Sequence, residues 1–418
     1  MKKKIDNNCI NEFDPTSLGI EDAIAKIRKS IKSINKHEYI NLKNAIGRIS
    51  SENIKSQINI PTFKNSAMDG YAVQVSDLST KEKTILLEAG ISYAGKPYRK
   101  KLENGQTVRV MTGAVIPDNA DAVIMNEMVD ISGTNIEFGN IFQKKQNIRF
   151  IGEDIKKSSI VIKKGQKIRY IDIGILASIG IKKIKVMRKP IISFFSTGDE
   201  LISIGKKLKL GDIYDSNRYL LYGLLVDLPV IIKDMGVAKD NKKDIEKKFL
   251  QCSKVSDLII TTGGVSVGDA DYIREILDKV GKIKFWKISV KPGRPLAFGK
   301  IKNAYFFGLP GNPVSTIVTF ELFVQPAIQK LVSQNIHKKL YLRAITTHKM
   351  SKKKGRVEFK RGFLSQIKDK IFVTTKGLQG SNILSTLSEA NCYIKLSSDT
   401  ESVNKGDIVE VIPFAEVF

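Results

Sequence analysis

The stretch TTGGVSVGDADYI, residues 261–273, places glycines and carboxylates directly after an apolar segment. Glycine lets backbone N–H groups approach an anion closely, and the start of a helix adds unpaired N–H donors. The spacing matches neither the dinucleotide fingerprint G-x-G-x-x-G nor the Walker sequence G-K-[ST]. The stretch is therefore either a tight turn or a phosphate-binding loop. The residues that would contact a phosphate are Gly263, Gly264, Ser266 and Gly268.

Four carboxylates in this loop and in the segment STGDE supply hard oxygen ligands: Asp199, Glu200, Asp269 and Asp271. Beside a phosphate, such oxygens suit Mg²⁺, which is commonly held by one or two carboxylates plus substrate oxygens. Asp269 has an alternative role as a helix N-cap, and Asp199 as an ordinary solvated charge. Glu200 and Asp271 have no comparable structural explanation, so they are the predicted metal ligands.

Two loops rich in glycine and proline add cations and rigid backbone. Lysine and arginine suit phosphate or oxyanion ligands, although an ordinary lysine in a chain with 69 Lys and Arg is solvated. In the first loop, KPGRP, the cations are Lys291 and Arg294, with Lys287 shortly before them. The second loop, LPGNPVS, precedes a helix and offers Pro310, Gly311, Pro313 and Ser315.

These chemical groups all follow predicted strands of residues 189–332, where strand, loop and helix alternate. Such alternation predicts a doubly wound, parallel α/β sheet, and ligands of such sheets bind outside the carboxyl ends of the strands. PIISFF is followed by STGDE, DLIITT by GGVSVGDAD, IKFWKISV by KPGRP, and AYFFG by LPGNPVS. We therefore expect four loops to converge on one edge of the sheet.

The remaining sequence predicts three further units. Residues 15–50 and 151–188 predict one discontinuous, mixed α/β subdomain, which a β-rich insert at 51–150 interrupts. The α/β domain takes residues 189–332, and the short strand-like runs of residues 333–418 predict a C-terminal all-β barrel.

Two polar stretches lie outside the α/β domain. NSAMDGYAV puts Asp69 on a turn, and NIRFIGEDI places Arg149 near Asp154. Each stretch is either a structural turn with an ion pair or part of a site. A Ser/His/Asp triad is excluded as an interpretation, because the three histidines lie outside the converging loops: His37, His337 and His348.

Composition restricts the class of protein. The formal net charge is +26, but the lysines are spread through nearly every segment, so we interpret them as solvated and predict no nucleic-acid partner. A basic binding patch, or attraction of a small polyanionic substrate, is the alternative. Three scattered cysteines fit neither a disulfide framework nor a zinc site, and no apolar run approaches the length of a membrane span. We therefore expect a cytoplasmic protein without membrane contact.

A series of motifs in order along the chain resembles the bacterial MoeA family, which is related to the E domain of gephyrin and the plant Cnx proteins. The motifs include NSAMDGYAV, RVMTGAVIPDNADAVIMNE, NIRFIGEDI, FFSTGDEL, TTGGVSVGDADY, FWKISVKPGRPLAFG, FFGLPGNPVS and GSNILSTLSEANCYI. The resemblance implies a MogA-like doubly wound domain, a β-rich insert, a small mixed α+β linker domain and the C-terminal barrel. It also implies a homodimer whose site lies between the α/β domain of one chain and the insert of the other.

The activity that the resemblance implies is molybdopterin molybdenumtransferase. Such enzymes take adenylylated molybdopterin and molybdate, insert molybdenum at the dithiolene sulfurs and release AMP in a Mg²⁺-dependent step. Transient contact with molybdopterin adenylyltransferase and apo-molybdoenzymes is also implied. Carried over by motif, the catalytic residues are Glu200, Asp271, Asp69 and Asp154, and the substrate-binding residues named above are joined by Thr112, Arg149 and Asp240.

One departure and two alternatives accompany this resemblance. The family usually has FDNSAMDG where this chain has FKNSAMDG, so Lys64 replaces an acidic residue and would alter metal or molybdate affinity if it faced the cleft. Molybdopterin adenylyltransferase activity is one alternative, since that enzyme resembles residues 189–332 alone. A non-catalytic scaffold or RNA-binding protein is the other. Against it, the only tryptophan is Trp286, interpreted as a core residue, and no basic face interleaved with aromatics is apparent.

Overall fold

The computed structural model describes residues 16–140, 142–263, 270–335 and 340–414. Its architecture is multidomain. In sequence, one mostly β region precedes the α/β unit and another follows it. The predicted fold class, α/β and β multidomain with a C-terminal barrel, is confirmed.

The described residues up to 188 form an insert sheet and a smaller mixed unit. Their helices are α1 (Ile20–Ser30) and α2 (Tyr170–Ser178). Their strands are β1 (His37–Asn41), β2 (Ile54–Lys55), β3 (Asn65–Ser66), β4 (Gly70–Val73), β5 (Thr84–Ser92), β6 (Gln106–Val110), β7 (Ala122–Met125), β8 (Val129–Ser132), β9 (Asn135–Phe138), β10 (Ile148–Arg149), β11 (Ile160–Ile162) and β12 (Lys183–Met187).

The mixed unit joins segments that are distant in sequence. Strand β1 pairs with β12, and β2 pairs with β11, both antiparallel. Helix α2 contributes Leu176 to a core shared with Ile54, Ile162 and Val186. Between these segments the insert forms a six-stranded sheet in the order β7-β4-β6-β5-β9-β8.

The α/β unit has helices α3 to α7, and a π-helical turn at Phe320–Val324 joins the last two. The helices are α3 (Ser216–Val226), α4 (Lys242–Val255), α5 (Ala270–Val280), α6 (Pro313–Thr319) and α7 (Gln325–Leu331). The strands are β13 (Ile191–Thr197), β14 (Leu201–Ile202), β15 (Ile213–Tyr214), β16 (Ile231–Ala238), β17 (Leu258–Thr262), β18 (Gly281–Lys287), β19 (Val290–Lys291), β20 (Pro295–Ile301) and β21 (Ala304–Leu309).

The main sheet has the order β16-β13-β17-β21-β20-β18. Strands β16, β13, β17 and β21 are parallel, whereas β20 runs antiparallel to both of its neighbours. The expectation of a wholly parallel sheet is therefore corrected. Since β18 and β21 flank the reversed strand, they run in the same direction, and the loop after β18 still emerges at the carboxyl edge.

Alternating side chains place one core on each face of this sheet. Phe194, Ile260 and Phe307 point to the face covered by α1, α3, α6 and α7. Their neighbours Phe195 and Phe306 point to the face covered by α4 and α5. The sequence had assigned α1 to the mixed subdomain, but the structure packs its apolar stripe into the α/β core, because that core offers the larger apolar surface.

The C-terminal unit is a closed five-stranded barrel. Its elements are β22 (Leu342–Thr346), β23 (Met350–Ser351), β24 (Val357–Ile367), β25 (Lys370–Thr374), α8 (Ser385–Ser388), β26 (Cys392–Leu396), β27 (Ser402–Val403) and β28 (Ile408–Pro413). The ring β24-β25-β22-β28-β26 closes because β26 also pairs with β24. Strand β19 of the α/β unit joins β24 in parallel and connects the two units.

Candidate functional site

The predicted loops converge at the carboxyl edge of the main sheet. The N–H of Gly263, after β17, donates to the carbonyl of Leu309 at the end of β21 (3.3 Å). A Cβ on Gly311 would lie 3.8 Å from the Cα of Gly263. A Cβ on Gly293, in the KPGRP loop, would lie 2.6 Å from Cγ2 of Thr319 in α6. The loops after β17 and β21 are thus in contact, and the KPGRP loop lies against the helix that follows the second of them.

Gly263 is required by this close approach. Its φ is +83°, and a Cβ there would lie 2.9 Å from the carbonyl oxygen of Thr197 at the end of β13. An L-residue would meet both the left-handed backbone and that oxygen. The glycine therefore allows the loops after β13 and β17 to lie side by side.

A buried carboxylate fixes the strand ends beneath these loops. Asp215, the N-cap of α3, is 2% exposed and accepts hydrogen bonds from the Ser196 hydroxyl (3.0 Å) and the Arg218 backbone N–H (3.2 Å). The Ser196 and Thr262 hydroxyls lie 3.0 Å apart. Asp215 therefore ties β13 and β17 to α3. It was not among the predicted site residues, although its place at the start of DSNRYLL marks it as a helix N-cap in the sequence.

Glu200 lies on the exposed surface of the loop after β13. Its two carboxylate oxygens lie 2.6 Å from the position that a Cβ on Gly198 would occupy, so they turn back over that glycine. The adjacent Asp199 accepts a hydrogen bond from the N–H of Asp240 (3.0 Å) and thereby joins this loop to the one after β16. Asp199 therefore has a structural role, while Glu200 remains available for a ligand.

Of the described carboxylates in these loops, Glu200 is the one suited to a Mg²⁺ site that substrate oxygens would complete. In the part of the chain that the structure describes, no three His, Cys, Asp or Glu side chains form a metal-binding group. Mg²⁺ is commonly held by one or two carboxylates, with water and substrate oxygens in the remaining positions. Glu200 suits such an open arrangement, because its carboxylate is exposed and lies among loops predicted to bind a phosphate.

Several predicted residues fall wholly or partly outside the described structure. Asp271 lies in the first turn of α5, and only its backbone is described. The residues outside the described ranges are Gly264, Ser266, Gly268, Asp269 and His337. Their predicted roles stay predictions.

A basic cavity of about 260 Å³ lies between the KPGRP loop and the C-terminal barrel. Its lining includes four cations and two hydroxyls: Lys291, Arg294, Arg356, Lys360, Ser315 and Ser381. The β19–β24 pairing places Lys291 opposite Glu358, which is 6% exposed. Glu358 lies 3.6 Å from the Lys291 ammonium and 2.9 Å from that of Lys360. One carboxylate thus pairs with two of the four cations that line the cavity.

The barrel residues of this cavity were missed from the sequence. Asn312 Nδ2 donates to the Ser381 hydroxyl (2.9 Å), and the N–H of Val314 donates to the Ser381 carbonyl (3.1 Å). Arg361, which is 1% exposed, donates to the carbonyls of Leu378 (2.8 Å) and Gly380 (3.2 Å). These bonds hold the turn that comes just before Ser381. The sequence signals were GRVEFKRG and QGSN, but the charges of the first were interpreted only as part of a strand.

The insert carries a second polar cluster. Asp69 accepts hydrogen bonds from the backbone N–H (2.6 Å) and hydroxyl (2.8 Å) of Thr112. These bonds lower the pKa of Asp69, and the attraction of Arg109 adds to them. The sequence brought Asp69 and Thr112 into one prediction, and the structure places them in contact.

Arg149 and Asp154 lie nearby in sequence on exposed backbone of the same unit. Arg149 belongs to β10, which pairs with β3 just before Asp69, while the N–H of Asp154 donates to the carbonyl of Ile60 (3.0 Å). Lys64 is exposed, and its carbonyl accepts from Ile116 (3.1 Å). All of these contacts lie within the insert and its flanking segments. None of them involves the converging loops.

The architecture and both polar clusters define a class of protein that sequence comparison identifies: the chain belongs to the MoeA family. The MoeA N-terminal region (domain I and II) matches residues 18–180, a probable molybdopterin binding domain matches 194–330, and the MoeA C-terminal region (domain IV) matches 343–414. The resemblance inferred from the motifs is thus confirmed.

Individual relatives span almost the whole chain. The molybdopterin molybdenumtransferase of Haemophilus influenzae is 44% identical over 401 residues, covering 95% of this chain and 98% of the relative. Gephyrin of Dictyostelium discoideum is 33% identical, covering 94% of this chain and 62% of gephyrin. The crystal structure of the molybdopterin biosynthesis MoeA protein from Pyrococcus horikoshii OT3 matches with a TM-score of 0.83 and 30% identity, over 95% of this chain and 100% of that one.

Proposed function

We propose that this protein is a molybdopterin molybdenumtransferase that inserts molybdenum from molybdate into adenylylated molybdopterin and releases AMP. The similarity to the enzyme of Haemophilus influenzae, over nearly the full length of both chains, supports the assignment to molybdenum cofactor biosynthesis. The basic cavity beside the converging loops is the structural observation that carries the chemistry.

In this proposal the basic cavity holds molybdate. Molybdate is a small dianion without a proton to donate at neutral pH, so it needs cations and hydrogen-bond donors. Lys291, Arg294 and Arg356 supply positive charge, and the hydroxyls of Ser315 and Ser381 supply donors. The glycine-rich loop after β17 is the predicted contact of the pterin phosphate.

Glu200 holds Mg²⁺ in this proposal, with Asp271 as the second predicted carboxylate. Bound there, Mg²⁺ would supply positive charge opposite the phosphoanhydride that joins the pterin phosphate to AMP. The chain's own contribution is to fix this carboxylate on the turn after Gly198 and to keep the loops in register through Asp215. Because β13 and β17 are tied together at that point, the loops need little reorganisation when substrate binds.

Asp69, Asp154, Thr112 and Arg149 complete the site from a second copy of the chain. Within one chain their hydrogen bonds and strand pairing remain in the insert region, so a partner protomer is needed to bring them to the converging loops. Helix α3 supports a homodimer, since Tyr219, Tyr222 and Val226 are each about half exposed on it. Apolar surface of this kind is typical of protein interfaces.

The cellular setting remains part of the proposal. No helix among the described residues is long and apolar enough to cross a membrane. Buried, unpaired Cys252 and Cys392 fit a reducing cytoplasm. Transient contact with the adenylyltransferase that supplies the substrate, and with apo-molybdoenzymes that receive the product, would avoid release of labile intermediates.

A reconstituted assay tests the function. Purified protein is mixed with adenylylated molybdopterin, molybdate and Mg²⁺, and AMP is quantified together with cofactor able to activate an apo-molybdoenzyme. We expect AMP release that requires molybdate. Synthesis of adenylylated molybdopterin from ATP and molybdopterin would instead favour the adenylyltransferase, and a folded dimer without turnover in either reaction would favour a scaffold.

A further inference from the structure

A second basic cavity, of about 710 Å³, lies along the edge strand β18 of the α/β sheet. Its walls are helix α1, strand β18 from Gly281 to Trp286, and strands β20 and β21 from Phe298 to Tyr305. It shares no lining residue with the basic cavity at the KPGRP loop, so the two cavities are distinct.

The charge of this cavity is largely uncompensated. Seven lysines and no acidic residue line it, and of these lysines Lys279 pairs with Glu246 (2.9 Å). Among the residues that the structure describes, the other six have no carboxylate within ion-pair distance. They are Lys26, Lys29, Lys282, Lys284, Lys300 and Lys302.

Lysines on an edge strand commonly prevent pairing with another sheet. That role accounts for Lys282 and Lys284 on β18 but not for the others. Lys26 and Lys29 come from helix α1, and Lys300 comes from the inner strand β20. Three separate elements therefore place positive charges around one cavity. An anionic ligand would reduce the repulsion between these lysines.

The wall between these lysines is aromatic. Trp286 is only partly buried, and its ring centroid lies 5.6 Å from that of Phe298, which is 4% exposed. Tyr305 is anchored, because its hydroxyl accepts a hydrogen bond from the N–H of Lys32 (2.7 Å). The interpretation of Trp286 as a core residue thus holds only in part, since the indole also lines the cavity.

Two glycines of the wall are required by the close pairing of β18 with β20. A Cβ on Gly281 would lie 2.1 Å from the carbonyl oxygen of Lys300, and one on Gly299 would lie 2.1 Å from that of Lys282. A side chain at either position would therefore push the two strands apart and distort the wall that they form.

We propose that this cavity binds a nucleoside polyphosphate, with the base against Trp286 and the phosphates among the lysines. Ammonium groups suit phosphate oxygens, and aromatic side chains stack on bases. The volume falls within the roughly 300–1,000 Å³ of small-molecule sites. A single tryptophan offers one stacking surface, which favours a mononucleotide over a strand of nucleic acid. This inference does not depend on the transfer reaction.

Trp286 is the only tryptophan of the chain, so its fluorescence reports directly on the cavity. Full-length protein is titrated with ATP and, separately, with inorganic tripolyphosphate, and calorimetry is run in parallel. We expect saturable quenching by ATP, and affinity for tripolyphosphate about tenfold lower because it lacks a base. No saturable signal in either method overturns the proposal, and equal affinities overturn the stacking contact.

A pair of charge-matched variants locates the site. Lys282→Glu/Lys284→Glu should weaken ATP binding at least about tenfold. The control Lys43→Glu/Lys183→Glu changes two exposed lysines of the mixed unit and should stay within about twofold of the parent protein. Equal losses in the two variants would mean general charge attraction, and unchanged affinity in the first would place the nucleotide elsewhere, as at the converging loops. Either result overturns the proposal.

Discussion

The carboxylate of Asp69 accepts two hydrogen bonds from one residue, Thr112, through the backbone N–H at 2.6 Å and the hydroxyl at 2.8 Å. The backbone bond is the larger cause of the lowered pKa of Asp69, and the hydroxyl bond follows. A carboxylate held ionised in this way is suited to attract a cation or accept hydrogen bonds, and unsuited to donate a proton.

Thr112→Val should raise the pKa of Asp69 towards its ordinary value of 3.8 without restoring it, because the backbone bond remains. With the folded pKa below 3.8, this carboxylate contributes stability above that pH, and the contribution is lost as the pH falls through the folded pKa. Carboxyl-carbon NMR titration measures the shift. Thr80→Val, at an exposed threonine of the same unit, is the control and should leave Asp69 unchanged.

Glu200→Ala should abolish molybdate-dependent AMP release, with a loss of at least about 100-fold, since an electrostatic ligand for the reacting phosphates is removed. The thermal unfolding temperature should stay near that of the parent protein, because the side chain is exposed. Glu82→Ala removes an exposed carboxylate of the insert and is the matched control. Turnover near the parent rate in the Glu200 variant would remove this residue from the proposed site.

Gly263→Ala and Gly205→Ala together distinguish the cost of a left-handed backbone from the cost of a steric clash of the new Cβ. Both glycines have φ of +83°, but a Cβ on Gly205 meets nothing within 4 Å, whereas one on Gly263 meets the Thr197 carbonyl at 2.9 Å. Gly205→Ala should cost about 1 kcal/mol of unfolding free energy, and Gly263→Ala about 2–3 kcal/mol together with most of the turnover. Denaturant titration measures both costs, and equal values would show that the Thr197 contact is relieved by a small shift.

Glu358→Gln should destabilise the barrel by about 2 kcal/mol, because two lysines then lose a nearly buried partner. Its control is Glu410→Gln, which removes a carboxylate that is 54% exposed and paired with Lys395 at 3.1 Å on the same barrel. That exposed pair should be worth less than about 1 kcal/mol. Urea denaturation compares the variants, and similar losses in both would contradict a special role for Glu358.

Burial raises the pKa of the Cys252 thiol to about 11 and that of Cys392 to about 12. In a Cys9→Ser variant, neither thiol should react with a disulfide reagent at pH 8 in the folded state, and both should react after unfolding. Since the folded pKa values exceed the ordinary 9.0, the stability they contribute is complete below pH 9 and is lost as the pH rises towards 11 and 12. Rapid labelling of the native protein would contradict their burial.

Local sequence was sufficient to predict that the loops meet at the carboxyl edge of the sheet. Apolar strands that end in Gly, Pro and charged residues implied loops on one side of the sheet, and the contacts of Gly263 and Gly311 bear this out. The reversed strand β20 was not predicted, because a short apolar run has the same pattern in either direction. The reversal of β20 does not move the KPGRP loop away from the predicted carboxyl edge, because β18 runs in the same direction as β21.

Side chains brought in by long-range contacts were harder to find. Ser381 reaches the loop after β21 from a barrel that is distant in sequence, and Arg361 acts through the turn that precedes Ser381. No periodicity or spacing within the barrel points towards the α/β unit. The two basic cavities could not be predicted from the sequence either, because each is lined by elements that are far apart in the chain.

The packing of α1 into the α/β core has a consequence for biosynthesis. Ile27 of α1 shares that core with Ile328 and Leu331 of α7. Helix α1 can therefore complete its packing only after α7 has been synthesised and has left the ribosome. The segment 31–188, which contains the mixed unit and the insert, is therefore attached to the α/β unit at both of its ends. A protease that cut this segment once would leave the two fragments held together without a covalent bond. The nicked protein should therefore migrate as two bands under denaturing conditions and as one particle under native ones.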